Sequence, residues 1–148
     1  MGDLVAILRN GCLEQVDTPE RIFHAPKSEF VASFIGIADF LPVQWTAEGP
    51  VAEVGSLMAP PGVSPEQGLK VMVRPDDLSL RLSEEGRSRI VEKIFQGPFY
   101  LYHVELPLGT RVHILQPHTA NYPVGSWVEV GLDSGHQQLF FSEGNALL

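Results

Sequence analysis

The 148 residues predict a mainly β fold, a compact antiparallel barrel preceded by a hairpin and two short helices, on three observations. Twelve prolines and fourteen glycines, spread mainly through the later sequence, cut it into short strand-like runs separated by turns. An Asn10-Gly11 pair divides two apolar runs near the start, which is a strong hairpin signal. Helical signals are confined to the stretch from Thr18 to Gly36, with little helical periodicity beyond it.

In chain order, Leu4 to Leu8 and Leu13 to Val16 form the two arms of the hairpin. Thr18 stands where an N-cap belongs, with Pro19 at the first helical position and Glu20 in the first turn, where an acid suits the helix dipole. Pro26 ends that helix, because the residue before a proline is pushed out of the helical region. Ser28 starts a second helix with Phe30, Val31, Phe34 and Ile35 as its apolar stripe, and Gly36 closes it. The strand runs then follow: Phe40 to Trp45, Val51 to Val54, Lys70 to Arg74, Leu78 to Leu82, Ile90 to Phe95, Tyr100 to Leu106, Arg111 to Leu115, Trp127 to Leu132 and Gln138 to Phe141. Alternation puts Tyr100, Tyr102, Val104 and Leu106 on one face, with His103 and Glu105 on the other. Val128, Val130 and Leu132 likewise share a face. Many short strands at this spacing argue for a barrel of the OB type. Ala59 to Gln67, with three prolines and a glycine, is a loop.

Composition excludes several functions. Ten basic against eighteen acidic side chains leave a net charge of −8, which repels phosphate backbones and anionic lipids and argues against nucleic-acid binding. No apolar run approaches the roughly 18 residues of a membrane span, and the start does not resemble a secretion signal. A single cysteine, Cys12, rules out an internal disulfide or a multi-cysteine metal site and fits a reducing compartment.

The first thirty-six residues resemble the end of the ATPase domain in bacterial ABC importers. The family's closing line matches at Asp3, Gly11, Leu13, Gln15, Thr18, Pro19, Ile22, Phe23, Pro26, Ser28, Phe30 to Ala32 and Phe34 to Gly36, with Asp17 where glycine is usual. Further on, Val71-Met72-Val73-Arg74-Pro75-Asp76-Asp77-Leu78 and Phe95-Gln96-Gly97-Pro98 through Val104 resemble two lines of the TOBE module, an OB-like barrel that follows that ATPase domain. The resemblance implies two regions, 1–36 as the ATPase tail and 37–148 as a TOBE barrel. It also implies a regulatory and dimerisation role, with a second copy of the subunit and membrane permease subunits as partners at the cytoplasmic face of the membrane. Ala38-Asp39-Phe40-Leu41-Pro42 and the Asp76-Asp77 pair resemble ferric-iron importers most and polyamine importers next. Related barrels that bind oxyanions make a small-ligand module the runner-up reading, disfavoured by the few clustered Ser, Thr and basic groups and by the acidic charge.

Catalysis is not expected. The chain has no G-x-x-x-x-G-K-[ST] loop to wrap phosphates, so ATP and magnesium are expected only in a full-length parent, with no cofactor or metal here. His103, His113, His118 and Glu105 sit on or beside adjacent strand runs. A zinc site would need three or four converging ligands, and cross-strand polar neighbours are the simpler reading. Arg74, Asp76 and Asp77 form the polar cluster of most interest, with Arg74 either reaching a partner or regulator or pairing locally with a carboxylate beside the Pro75 turn. Trp45, Trp127, Phe140 and Phe141 are candidates for an interface or the core, and Trp127 joins the Arg74 cluster as an interface residue.

Overall fold

A computed structural model describes residues 3–65, 68–133 and 138–147, in which strands dominate and every strand pair is antiparallel. The hairpin pairs β1 (Val5–Arg9) with β2 (Cys12–Asp17). Asn10 and Gly11 both have positive φ, 51° and 79°, as the mirror-image two-residue turn of a tight hairpin requires. Helix α1 (Pro19–His24) begins as expected, with the Thr18 hydroxyl accepting from the Arg21 amide at 3.3 Å. Asp17 takes a capping part of its own: its carboxylate accepts from the Thr18 amide at 2.9 Å and meets Arg21 at 3.4 Å.

Helix α2 (Glu29–Ile35) starts at Ser28, whose hydroxyl accepts from the Val31 amide. Its buried side is centred on Val31 and Ala32, both fully covered. Phe34, expected on the buried stripe, is instead 65% exposed beside Phe30, because the side of the helix that meets protein is rotated toward Ala32. Ile7 and Ile22 close against Val31 in a small core of their own. Gln15, 2% exposed, ties the hairpin to the link between the helices: its amide donates to the Ala25 carbonyl and accepts from the Lys27 amide, on either side of Pro26.

The barrel is built from two main sheets. One runs β11-β10-β9-β12-β8, comprising β11 (Arg111–Pro117), β10 (Phe99–Glu105), β9 (Ser88–Gln96), β12 (Trp127–Leu132) and β8 (Leu78–Leu82). Its edge strands β11 and β8 come into contact, so the five strands curl nearly closed. The second runs β14-β13-β7-β3, comprising β14 (Asn145–Ala146), β13 (Leu139–Ser142), β7 (Lys70–Val73) and β3 (Asp39–Pro42). A three-stranded ribbon of β4 (Gln44–Thr46), β5 (Gly49–Ala52) and β6 (Gly55–Ser56) completes the set.

The expected Phe40–Trp45 run is split at Val43, with Pro42 ending β3 where that edge strand can lack an N–H. The core holds Leu41, Val71, Val73, Tyr102, Val104, Ile114, Val128 and Phe140, drawn from both sheets. Val130 and Leu132 pack against it on the same face as Val128. Register explains why Val71, Met72 and Val73 are all buried. Val71 lies beside Leu41 and Phe140 toward the core, whereas Met72 points to the other face, where Ala32 of α2 and Phe141 cover it. The sheet is therefore clad on its outside by α2. The start of α2 is also strapped down, by Glu29 N–H to the Gly144 carbonyl and Ala146 N–H to the Lys27 carbonyl.

Candidate functional site

Arg74 follows the last residue of β7 and enters a short 3₁₀ turn, Pro75–Asp77. The turn is closed from both directions. The Arg74 N–H donates to the Asp77 carboxylate at 2.8 Å, and the Asp77 N–H donates to the Arg74 carbonyl at 2.9 Å. Asp77 is 5% exposed and Asp76 faces solvent. The Arg74 side chain is only 4% exposed, and its guanidinium is spent on main-chain carbonyls of the preceding helical stretch. Nη2 donates to Phe23 at 3.0 Å, while Nη1 donates to Ile37 at 3.0 Å and to Ala32 at 3.3 Å. Its Cζ lies 4.0 Å from the Phe23 ring centroid, a cation–π contact. Burial pushes the guanidinium below its ordinary value, and the charges of Asp77 and Asp76 offset part of that.

A cleft of about 130 Å³ opens beside this cluster, lined by Phe23, His24, Met72, Arg74, Asp76, Asp77, Leu132, Gln138 and Leu139. Trp127 belongs elsewhere. It stands 51% exposed at the start of β12, under Arg89 at 5.7 Å, and borders a separate groove with Leu82, Ser83, Glu84 and Ser126. The structure thus brings Arg74, Asp76 and Asp77 together and leaves Trp127 apart from them. Of the other aromatics considered, Phe140 and Phe141 are buried and Trp45 packs partly against the core.

The histidines fall into cross-strand register. His103 and His113 face one another on β10 and β11 with ring centroids 4.4 Å apart. His103 Nδ1 meets Glu92 at 3.1 Å and His113 Nδ1 meets Asp39 at 3.0 Å. Glu105 lies on the same face of β10 as His103, as alternation predicts, and pairs with Arg111 at 3.6 Å. His118 is exposed, and His136 lies outside the described residues. Among the described residues no three His, Cys, Asp or Glu side chains converge as a metal site would require.

Three structural contacts were not foreseen from sequence: Gln15 at the Pro26 link, the Asp39–His113 pair, and Phe23 as the platform under Arg74. The one available signal for the last was an arginine set directly on an apolar run, Val71 to Val73, which foretells burial of its stem.

The TOBE domain family matches residues 71–140, which include Arg74, Asp76, Asp77 and Trp127. A spermidine/putrescine import ATP-binding protein of Pseudomonas aeruginosa is 31% identical over 158 aligned positions, covering 89% of this chain and 42% of its own length. The protein of the same name from Pseudomonas fluorescens is 31% identical over 160 positions, 99% of this chain and 41% of its own. That of Clostridium acetobutylicum is 29% identical over 116 positions, 76% and 33%. The chain therefore spans a third to about two fifths of the length of these curated relatives. Their names are of polyamine import, whereas the sequence motifs resemble ferric-iron subunits first. Residues 71–140 match the TOBE domain, and nearly the whole chain is similar to part of the ATP-binding subunits of ABC importers.

Proposed function

We propose that this chain is the non-catalytic C-terminal region of a transport ATPase subunit that drives import of a small solute. Residues 1–36 end the ATPase domain, and residues 37–148 form the regulatory barrel. The observation that carries the reading is the alignment of nearly the whole chain with import ATP-binding proteins, joined to the TOBE match. The surface supports it: Leu4, Leu8, Leu13 and Val16 of the hairpin are each 45% or more exposed, an apolar face suited to packing on a further body. No helix among the described residues is long and apolar enough to cross a membrane, in keeping with a subunit that works beside permease partners. ATP and magnesium are bound by the parent's own phosphate loop, so the chain alone gives no saturable Mg-ATP site in calorimetry. The barrel pairs with its copy in a second subunit at the cytoplasmic face.

The names of the relatives favour a polyamine as solute. Ferric iron is the second reading, on Asp76-Asp77 and the Ala38–Pro42 junction. Disrupting the gene that encodes this chain and measuring uptake of labelled putrescine and ferric iron separates them. Loss of putrescine uptake alone is expected. Loss of iron uptake alone gives the second reading, and intact uptake of both rejects the two solute assignments.

A further inference from the structure

The last turns of α1 and α2 leave carbonyls without helical partners, as every helix end does. Phe23 is the penultimate residue of α1, Ala32 opens the last four residues of α2, and Ile37 follows the Gly36 cap. These three carbonyls all accept from one guanidinium, and it is anchored in a different part of the molecule, at the end of β7. We propose that Arg74 is a latch that makes the helical stretch 19–37 and the barrel one mechanical unit, by capping the C-terminal ends of both helices from the barrel side. A cation is the favoured group at such an end, and the planar fork of arginine reaches several carbonyls that a lysine ammonium cannot reach together.

The latch is built into position. The Arg74 backbone is held by the buried Asp77 carboxylate, so the side chain departs from a fixed turn. The Phe23 ring supports the guanidinium, and Gly36 lies against both: a Cβ there would meet that ring at 3.5 Å and Nη1 at 3.6 Å, ordinary van der Waals contact. Nε finds no acceptor among the described residues, so the two Nη groups carry the clasp. The start of α2 is tied down independently by Gly144 and Ala146, which makes the helix C-terminal ends the part that depends on Arg74. These contacts lie within this chain, and the latch stands whether or not the importer reading does.

Hydrogen exchange by mass spectrometry on the whole chain tests it. In Arg74→Met, exchange at Ile22, Ala25 and the segment 33–38 is expected to quicken by about tenfold or more, while β10 and β11 stay within about threefold of wild type. Arg74→Lys falls between the two, and Phe23→Leu gives a smaller rise confined to the same helical segment. Equal quickening of helices and barrel in Arg74→Met would make Arg74 an ordinary prop of the barrel and overturn the latch. Unchanged helices would overturn it equally. Should Arg74→Met fail to fold, Phe23→Leu and Arg74→Lys decide by the same criterion: a localised rise supports the latch, and a uniform or absent one removes it.

Discussion

The Tyr102 hydroxyl, on a fully buried side chain in the barrel core, donates to the Ala120 carbonyl and accepts from the Tyr122 amide. It thereby pins the 120–122 loop across the end of the barrel, and the Tyr122 ring stacks on it at 5.9 Å. Burial chiefly raises its pKa above the ordinary 10.0, with the Tyr122 amide bond opposing. The folded state therefore keeps its proton at a pH where the unfolded chain has begun to release it. Its contribution to stability is full below pH 10.0 and is lost as pH climbs through the raised folded value. Tyr102→Phe leaves two backbone groups unpaired and should lower unfolding stability by about 1–3 kcal/mol at pH 7 in urea titrations. Above the ordinary tyrosine pKa the gap between wild type and variant should shrink, since only the wild type has this proton to lose. A gap that widens instead would mean that Tyr102 ionises more easily when folded. Arg74 teaches the complementary lesson about legibility. Its importance could be read from its place between an apolar run and a proline turn, but its acceptors could not: they are carbonyls, which every residue carries and no side-chain pattern marks.

Elements were legible where their own residues dictate them. Thr18-Pro19 and Ser28 set the helix starts, Asn10-Gly11 sets the hairpin turn, and the runs at Leu78–Leu82 and Trp127–Leu132 are strands with those very bounds. Elements that depend on distant partners were not legible. Strand β14 is two residues long and exists because β13 and the start of α2 pair with it. Phe34 was misplaced because the α2 stripe is chosen by Met72 and Phe141 of a sheet that the helix sequence does not contain. The turn between β8 and β9 shows the same dependence. Gly86 has ordinary backbone angles, yet a Cβ there would sit 2.4 Å from the main-chain oxygen of Val128 in the neighbouring strand. Backbone cannot swing aside as a side chain does. Gly86→Ala should therefore cost about 1–3 kcal/mol through forced separation of β12 from the turn, measured as a lowered melting temperature. Gly97→Ala, also in a turn but with open space around it, isolates the backbone-angle effect, since its φ is +72°. If Gly86→Ala melts as wild type does, the close approach is not a constraint.

At the scale of the whole molecule, the family resemblance and the mainly β class were accessible because strand periodicity, turn residues and two motif lines stand together in one sequence. The clasp between helices and barrel was not, since it joins residues 37 to 51 positions apart. That clasp changes how the assembly must be tested. Removing residues 1–36 would strip Arg74 of two of its three acceptors and uncover Met72 and Phe141, so a truncated barrel would report its own damage. Surface substitutions in the intact chain avoid this. Leu8 and Leu13 are direct cross-strand partners, each 60% exposed, on the outer face of a hairpin whose inner face is closed by Ile7 against Ile22 and Val31. Covering one such side chain is worth about 1.5–3 kcal/mol, so the pair, with Leu4 and Val16 nearby, favours self-association. On the barrel, Phe95 and Phe99 are exposed at the turn between β9 and β10, and Trp127 is exposed separately at the start of β12. The chain is expected to be a dimer by light scattering after size exclusion at micromolar concentrations, symmetric pairing of identical patches being the commonest closed solution. Leu8→Lys with Leu13→Glu replaces the apolar pair by opposite charges that still suit a cross-strand register. A dimer that survives this change belongs to the barrel, as the regulatory reading requires. A monomeric double variant assigns the contact to the hairpin face, and a monomeric wild type removes self-pairing by this region altogether.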